Sequence, residues 1–298
     1  MAARSAGPTP ERDRLRFLID ERLSLTGHRR IDSERLKDLR TFASYLTDHQ
    51  EQRGCGRVIR KGRAGSATEV LHVTTSCKRK WQCPVCAFRA SRVEARKMEC
   101  RLVQWTSKGG QIAFLTLTQA HRRQDALDVL WARLEHGWQA VTTGRAWERD
   151  KARYGIRGFQ RVTEIVHSHN GWNPHYHVIL LIDRAPARDD LDPMLTALAT
   201  RFMRGVRDGG GDAELSGQHL RFASSHSLGE LSRYCFKGLT VQQSSQGART
   251  PMAVLNDLEA TGKGVDLWIE FNDATHRGRR QMSVSRGIDK VCAAGPLP

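Results

Sequence analysis

His175-Tyr176-His177 is a stretch whose residue types and spacing suggest chemistry. On a β-strand, successive side chains project to opposite faces, so His175 and His177 point together while Tyr176 points away. Two imidazoles on one face begin a site for a divalent metal. The strand should pair through a hairpin, because Asn170-Gly171 tolerate the positive φ that tight turns demand. With those two as the turn residues, position 169 pairs with 172, and Glu164 falls opposite His177. Directly opposed residues share a face with Cβ atoms ~5 Å apart, so a carboxylate joins the two imidazoles. Mixed nitrogen and oxygen ligation suits Mn²⁺ or Mg²⁺ and leaves positions for water and phosphate oxygens. A one-residue change of register would turn Glu164 away and leave His167 as the replacement ligand. Alternating surface histidines are the plainer reading of His-x-His; Glu164, Pro174 and the apolar run Val178–Ile182 weigh against it.

A second constellation surrounds Tyr234, one of 4 tyrosines. In a helix over Leu228–Lys237, residues three and four apart are neighbours, so Glu230, Tyr234 and Lys237 make one polar line beside Leu231 and Cys235. A phenol acts as a covalent nucleophile when its proton and developing charge are managed. Lys237 is placed to stabilise charge on a phosphate or phenolate. The alternative is a core tyrosine whose hydroxyl is satisfied by Glu230. The third constellation is Cys77-x5-Cys83-x2-Cys86, three ligands of a tetrahedral zinc site with a Cys-Pro-x-Cys turn. Cys55 and His72 are both open as the fourth. Cys100, Cys235 and Cys292 read as non-ligands.

Elements must hold these groups. Ile112–Thr118 reads as a buried strand. Leu127, Leu130, Trp131, Leu134, Trp138 and Val141 mark one face of a long helix. Strands follow at Phe159–Val166 and His175–Ile182, then a helix over Pro193–Val206 and a short strand at His219–Ala223. The β-α-β-β-α-β order predicts an α+β fold: a split, ferredoxin-like antiparallel sheet with the His-x-His motif on a central strand and helices on one face. Residues 1–53 read as a polar helical leader carrying Leu15, Leu23, Leu36, Leu39 and Leu46. Residues 54–106 form a zinc-binding segment, with a Gly- and Arg-rich loop at Gly54–Gly65 and a helix striped by Phe88, Ala95, Met98, Leu102 and Trp105. The catalytic domain covers 107–241, and 242–298 is a basic C-terminal extension.

Charge points to the partner. The 298 residues hold 48 Lys+Arg against 32 Asp+Glu, a formal charge of +16, and nucleic acid is the commonest polyanion. Arg89, Arg92 and Arg96 lie off the apolar stripe of their helix, and the Arg277–Arg280 tail is basic; both are candidate phosphate contacts, with Arg89, Arg92, Arg96, Arg279 and Arg280 the named residues. No apolar run reaches the ~20 residues of a membrane span, and charges occupy the place of a signal peptide's apolar stretch, so a cytoplasmic protein is expected. Seven unevenly clustered cysteines do not suggest a secreted disulfide frame.

Phe114-Leu115-Thr116-Leu117-Thr118, then Asn173-Pro174-His175-Tyr176-His177-Val178-Ile179-Leu180, then Tyr234-Cys235-Phe236-Lys237 resemble, in order, the three signature motifs of HUH rolling-circle Rep proteins. Gly171-Trp172-Asn173-Pro174-His175, Cys83-Pro84-Val85-Cys86-Ala87 and the tail of Leu267-Trp268, Glu270 and Gly278-Arg279-Arg280-Gln281 resemble the single-tyrosine plasmid and phage-like branch. The resemblance runs from about Cys55 to Gly287. It implies Tyr234 as the nicking nucleophile, His175 and His177 as metal ligands with Glu164 as the third, and Thr116 and Thr118 near the site. Cys55-Gly56-Arg57 resembles the corresponding family segment, which favours Cys55 as the fourth zinc ligand. Cys235-Phe236 replace smaller or aliphatic residues common there. The activity implied is a metal-assisted cut of single-stranded or hairpin origin DNA, with a host helicase and replication machinery as partners and a monomer or dimer as the acting form. With a single tyrosine, termination falls to a water activated by Glu230, one helical turn earlier, or to a second protomer. The rival readings are a transposase- or relaxase-like nickase and a non-enzymatic zinc-containing DNA-binding regulator.

Overall fold

The computed structural model describes residues 32–62, 70–183, 191–223, 227–237, 247–276 and 278–293. The first 31 residues, with Leu15 and Leu23 of the expected leader, lie outside these, as does Arg277. Helix α1 (Asp32–Tyr45) and a short α2 (Gln50–Arg53) come first. The segment expected as a loop after Gly54 contains a strand instead: β1 (Val58–Gly62) pairs antiparallel with β2 (Val70–Thr74), Val58 opposite Thr74. Helix α3 (Pro84–Thr106) starts with proline in its first turn, where the missing N–H costs nothing, and buries Ala95, Met98, Leu102 and Trp105 along one stripe.

Strand β3 (Gln111–Leu117) leads into α4 (Leu127–Thr142), whose six predicted stripe residues are all buried. A helix absent from the sequence reading follows, α5 (Gly144–Tyr154), which buries only Trp147 and Tyr154 and so lacks a readable stripe. Then come β4 (Ile156–Ser168), β5 (Gly171–Ile182), α6 (Leu191–Asp208), β6 (His219–Phe222) and α7 (Leu228–Tyr234). The remaining elements are α8 (Pro251–Thr261), α9 (Val265–His276), β7 (Met282–Val284) and α10 (Ile288–Ala293).

The sheet runs β6-β3-β5-β4-β7 with every neighbouring pair antiparallel. One face presents Ala113, Leu115, Tyr176, Val178 and Leu180 to α4 and α6, where Leu134, Trp138 and Phe202 fill the gap. The other presents Phe114, Ile179 and Leu181 to Met98 and Trp105 of α3, Leu231 of α7 and Ile288 of α10. Helices therefore cover both faces rather than the one expected. The reason is legible in β5: Val178–Ile182 is apolar at every position, and a strand apolar on both sides needs cover on both.

A third cluster joins what the sequence suggested were separate segments. Leu39 of α1, Trp81 beside the cysteines, Trp131 of α4, Trp172 at the hairpin, Leu255 of α8 and Phe271 of α9 pack together. The C-terminal segment is thus no appended tail. It supplies two helices to this cluster, the edge strand β7 beside β4, and α10 on the second sheet face. Glu270 of α9 fastens the arrangement: one carboxylate oxygen accepts from the Leu127 N–H at 2.8 Å and the other from Trp172 Nε1 at 2.9 Å. No helix among the described residues is long and apolar enough to cross a membrane.

Candidate active site

The β4–β5 hairpin turns one residue earlier than expected on each side. Ser168 pairs with Gly171, so His169 and Asn170 make the turn. Ser168 Oγ accepts from the Asn170 N–H at 3.2 Å, and Gly171 takes the positive φ, 89°. A side chain at Gly171 would place Cβ 2.9 Å from Arg123 Cα, so both backbone conformation and space demand glycine. The register places Glu164 opposite His175, and not opposite His177 as the Asn-Gly turn implied. The shift is two residues, and the side-chain period is also two, so Glu164 keeps its face. His167 pairs with Trp172 on the opposite face, its ring edge-on to the indole and its Nδ1 3.3 Å from Arg249, and takes no part in the group.

Glu164 Oε2 lies 3.1 Å from His175 Nε2 and 2.7 Å from His177 Nε2. The other ring nitrogens are oriented by the frame: His175 Nδ1 sits 3.3 Å from the Asn173 carbonyl and His177 Nδ1 3.4 Å from Thr116 Oγ1. Both contacts direct Nε2 toward the carboxylate. Burial alone would raise the Glu164 carboxyl, but the hydrogen bonds and charges of His175 and His177 hold it well below the usual range. Burial lowers His177 to about 4, against the upward pull of Glu164. The three donor atoms lie within 4.8 Å of one another, a spacing at which one ion can be shared. Two imidazoles and a carboxylate suit a divalent first-row metal, and their identity alone does not choose among such metals.

Tyr234 stands against this group at the end of α7. The helix stops there instead of continuing to Lys237; a tighter turn folds Lys237 back, putting Nζ 3.8 Å from the centre of the Tyr234 ring and 3.9 Å from Glu164 Oε2. The His177 ring is 5.3 Å from the Tyr234 ring, and Phe114 packs against both. Burial would lower Lys237, but Glu164 and Tyr234 raise it, so the ammonium persists. Glu230 is half-buried one turn earlier on α7, and the tyrosine meets Lys237, His177 and Phe114. His121, which the sequence reading passed over, also lies close enough to His175 for the two charges to interact, though burial is the larger cause of its lowered pKa. No periodicity marks it, because it sits in the irregular stretch after β3.

The four cysteines converge. Cys55 Sγ is 3.7 Å from Cys83 Sγ and 3.6 Å from Cys86 Sγ, and Cys77 Sγ is 3.6 Å from Cys86 Sγ. A tetrahedral zinc with Zn–S bonds of ~2.3 Å sets its sulfurs about 3.8 Å apart, so the donor set fits such an ion. Hydrogen bonds from Cys77 and Cys83 hold the Cys86 thiol well below its ordinary range, and Ser76 Oγ lies 3.3 Å from the same sulfur. His72 is on β2, opposite Arg60, and outside the group. Cys100, Cys235 and Cys292 are free thiols elsewhere.

Of the candidate DNA contacts, Arg89, Arg92 and Arg96 line the exposed side of α3, Arg92 stacking over Phe88. Arg280 is exposed. Arg279 is engaged within the protein: its guanidinium donates to the carbonyls of Ala274 and Asp128 and lies over Trp131.

Fold and site together define a mixed α+β protein with a five-stranded antiparallel sheet, a four-cysteine group and a Glu-His-His group, each able to hold a metal. Residues 68–186 match the family Rep_1, described as replication protein. Protein rep of Streptomyces lividans is 31% identical over 154 residues, which is 43% of this chain and 33% of that protein. The neomycin resistance protein of Streptomyces cyanogenus is 30% identical over 152 residues, 43% of this chain and 34% of its own. The chain spans about a third of the length of these curated relatives. Residues 68–186 are thus similar to the Rep_1 replication-protein family, and the chain is distantly similar to Streptomyces protein rep. No solved structure matches significantly.

Proposed function

We propose that the protein initiates rolling-circle replication by nicking single-stranded or hairpin origin DNA. The observation that carries this reading is the convergence of Glu164, His175 and His177 with Tyr234 and Lys237 on one sheet face. A ferredoxin-like split arrangement accounts for it: β3, β4, β5 and β6 occupy the spatial order fourth, first, third, second, which brings the first motif strand beside the histidine strand.

When bound by Glu164, His175 and His177, a divalent cation such as Mn²⁺ or Mg²⁺ supplies Lewis-acid polarisation of the phosphate's non-bridging oxygens. Tyr234 Oη bonds to phosphorus as the bond from phosphorus to the 3′ oxygen breaks. The phenolic proton passes to solvent and the departing 3′ oxygen takes one up. The products are a 5′-phosphotyrosine and a free 3′ hydroxyl. The Lys237 ammonium, held between Tyr234 and Glu164, stabilises the phenolate and the charge on phosphorus. Glu230, one turn before the nucleophile, activates water for the terminating cut, since no second tyrosine accompanies Tyr234. Zinc in the four-cysteine group has a structural part, fixing the β1–β2 hairpin to the start of α3 so that Arg89, Arg92 and Arg96 meet duplex phosphates.

The test is incubation with Mn²⁺ and labelled single-stranded DNA of the cognate origin, followed by a denaturing gel. A metal-dependent covalent adduct that vanishes in Tyr234→Phe is expected. An adduct that survives that substitution, or none from folded, zinc-loaded protein, overturns the assignment. Glu230→Ala should still nick but fail to terminate; normal termination would remove Glu230 from the scheme.

A further inference from the structure

Strand β6 carries a polar strip that the reaction above does not use. Its residues alternate: Leu220 and Phe222 pack onto the α4–α6 core, while His219 and Arg221 are exposed. The register says where they point. His219 pairs with Thr116, and Thr116 pairs on its other side with His177; Arg221 pairs with Phe114, which in turn stacks on His177. Residues directly paired across strands share a face. His219 and Arg221 therefore lie on the face of the sheet that holds the metal ligands, two strand spacings or roughly 10 Å from His177. The helices that cover this face lie over β3, β4 and β5, and their cluster leaves both residues open to solvent.

The strip is rigidly placed. Gln218, buried at the start of β6, accepts from the Thr118 N–H at 3.0 Å and donates to the Thr118 carbonyl at 2.9 Å and the Glu214 carbonyl at 2.8 Å. Those bonds lock β6 to the end of β3 and so fix its offset from the histidines. The Arg221 guanidinium lies 5.3 Å from the centre of the Phe114 ring, which holds the long side chain on this face.

We infer that His219 and Arg221 bind the phosphodiester backbone of single-stranded DNA next to the scissile phosphate, so that the strand crosses the sheet from the metal group to the β6 edge. This rests on the nickase reading for the position of the scissile phosphate. Charged residues on an edge strand also serve simply to block pairing with another sheet. The two roles separate in a binding measurement, because edge protection has no effect on affinity for DNA.

The experiment measures fluorescence anisotropy of a labelled single-stranded origin oligonucleotide on the full-length Tyr234→Phe protein with Mn²⁺, between 50 and 200 mM salt. Arg221→Gln should weaken binding several-fold and lower the slope of log affinity against log salt by about 0.7, the value for one single-strand phosphate. Arg221→Lys should restore the slope. His219→Ala should weaken binding as well. Unaltered affinity and slope in both Arg221→Gln and His219→Ala, in proteins with parental melting curves, would overturn the inference; adduct formation by the same substitutions in the Tyr234 protein would show the nickase reading intact. A parent that forms no adduct and binds no single strand would defeat the nickase reading itself, and this inference with it.

Discussion

Glu270 lies outside the Glu-His-His group, yet its loss should be felt in the hairpin that carries that group. Its two oxygens accept the Leu127 N–H at 2.8 Å and Trp172 Nε1–H at 2.9 Å. Leu127 is the first residue of α4, whose N-cap, Ala126, offers no side-chain acceptor, so Glu270 acts as a cap delivered from another helix and places a negative charge at the positive end of α4. Trp172 is buried in the third cluster, where an unpaired indole N–H has no water to turn to. Hydrogen bonds to a charged group contribute about 1.5–3 kcal/mol each, so Glu270→Ala should cost roughly 3–6 kcal/mol. Glu270→Gln keeps an acceptor but loses the charge, and should cost about half as much. Urea unfolding followed by tryptophan fluorescence and by far-ultraviolet dichroism reads both changes. At about 2–4 °C per kcal/mol, the melting temperature of the alanine variant should fall by on the order of 10 °C. A loss below about 1 kcal/mol for Glu270→Ala would refute the argument, because it would mean neither donor depends on this carboxylate.

Three further outcomes are expected. Purified protein should hold one zinc at the cysteine group; Cys55→Ser should lose it by metal analysis while His72→Ala keeps it, and the reverse result would assign the fourth ligand to His72. Gly171→Ala should destabilise by roughly 2–3 kcal/mol in urea titration, since alanine must adopt a φ of 89° with its Cβ 2.9 Å from Arg123 Cα. His167 is lowered to about 4, first by burial and then by Arg249 and Arg123. Its folded value lies below the unfolded 6.5, so the unfolded chain binds more protons between those limits and stability falls as the pH drops through that window. His167→Gln should lose stability less steeply than the parent between pH 6.5 and 4.5; equal slopes would remove His167 as a contributor.

How far the sequence foretold this arrangement depends on which physical signal each part left. The histidine face was readable because strand alternation has period two, and that same period rescued the hairpin: the turn fell at His169-Asn170 instead of Asn170-Gly171, yet Glu164 stayed on the face of His175 and His177. The stripe of α4 was long and clean, whereas α5 buries only two aromatic side chains and left nothing periodic to find. Strand β7 is three residues long, too short for alternation to register, so the C-terminal segment read as a basic tail. Lys237 was placed on the correct side for the wrong reason, since a tightened turn after Tyr234, and not a continuing helix, brings it to Glu164. The choice between Cys55 and His72 turns on tertiary placement, which cysteine spacing does not encode. Arg279 shows the opposite failure: a basic run suggested a surface cation, but its guanidinium is engaged with backbone carbonyls.

The third core cluster, in which α1, the tryptophan beside the cysteines, the hairpin and the C-terminal helices α8 and α9 share one interior, also bears on how this protein can be recombined with its relatives. Exchange of parts between related proteins is easiest where one part lifts out cleanly. Here the stretch preceding the sheet and the stretch following it are interlocked through Trp81, Trp131, Trp172 and Phe271, so a crossover near residue 107 would leave half an interior on each side. A workable chimera must therefore take both flanks, α4 and the hairpin from one parent, because all of them share this interior. The natural seam of this molecule is three-dimensional, and it runs around that shared interior instead of cutting the chain at one point.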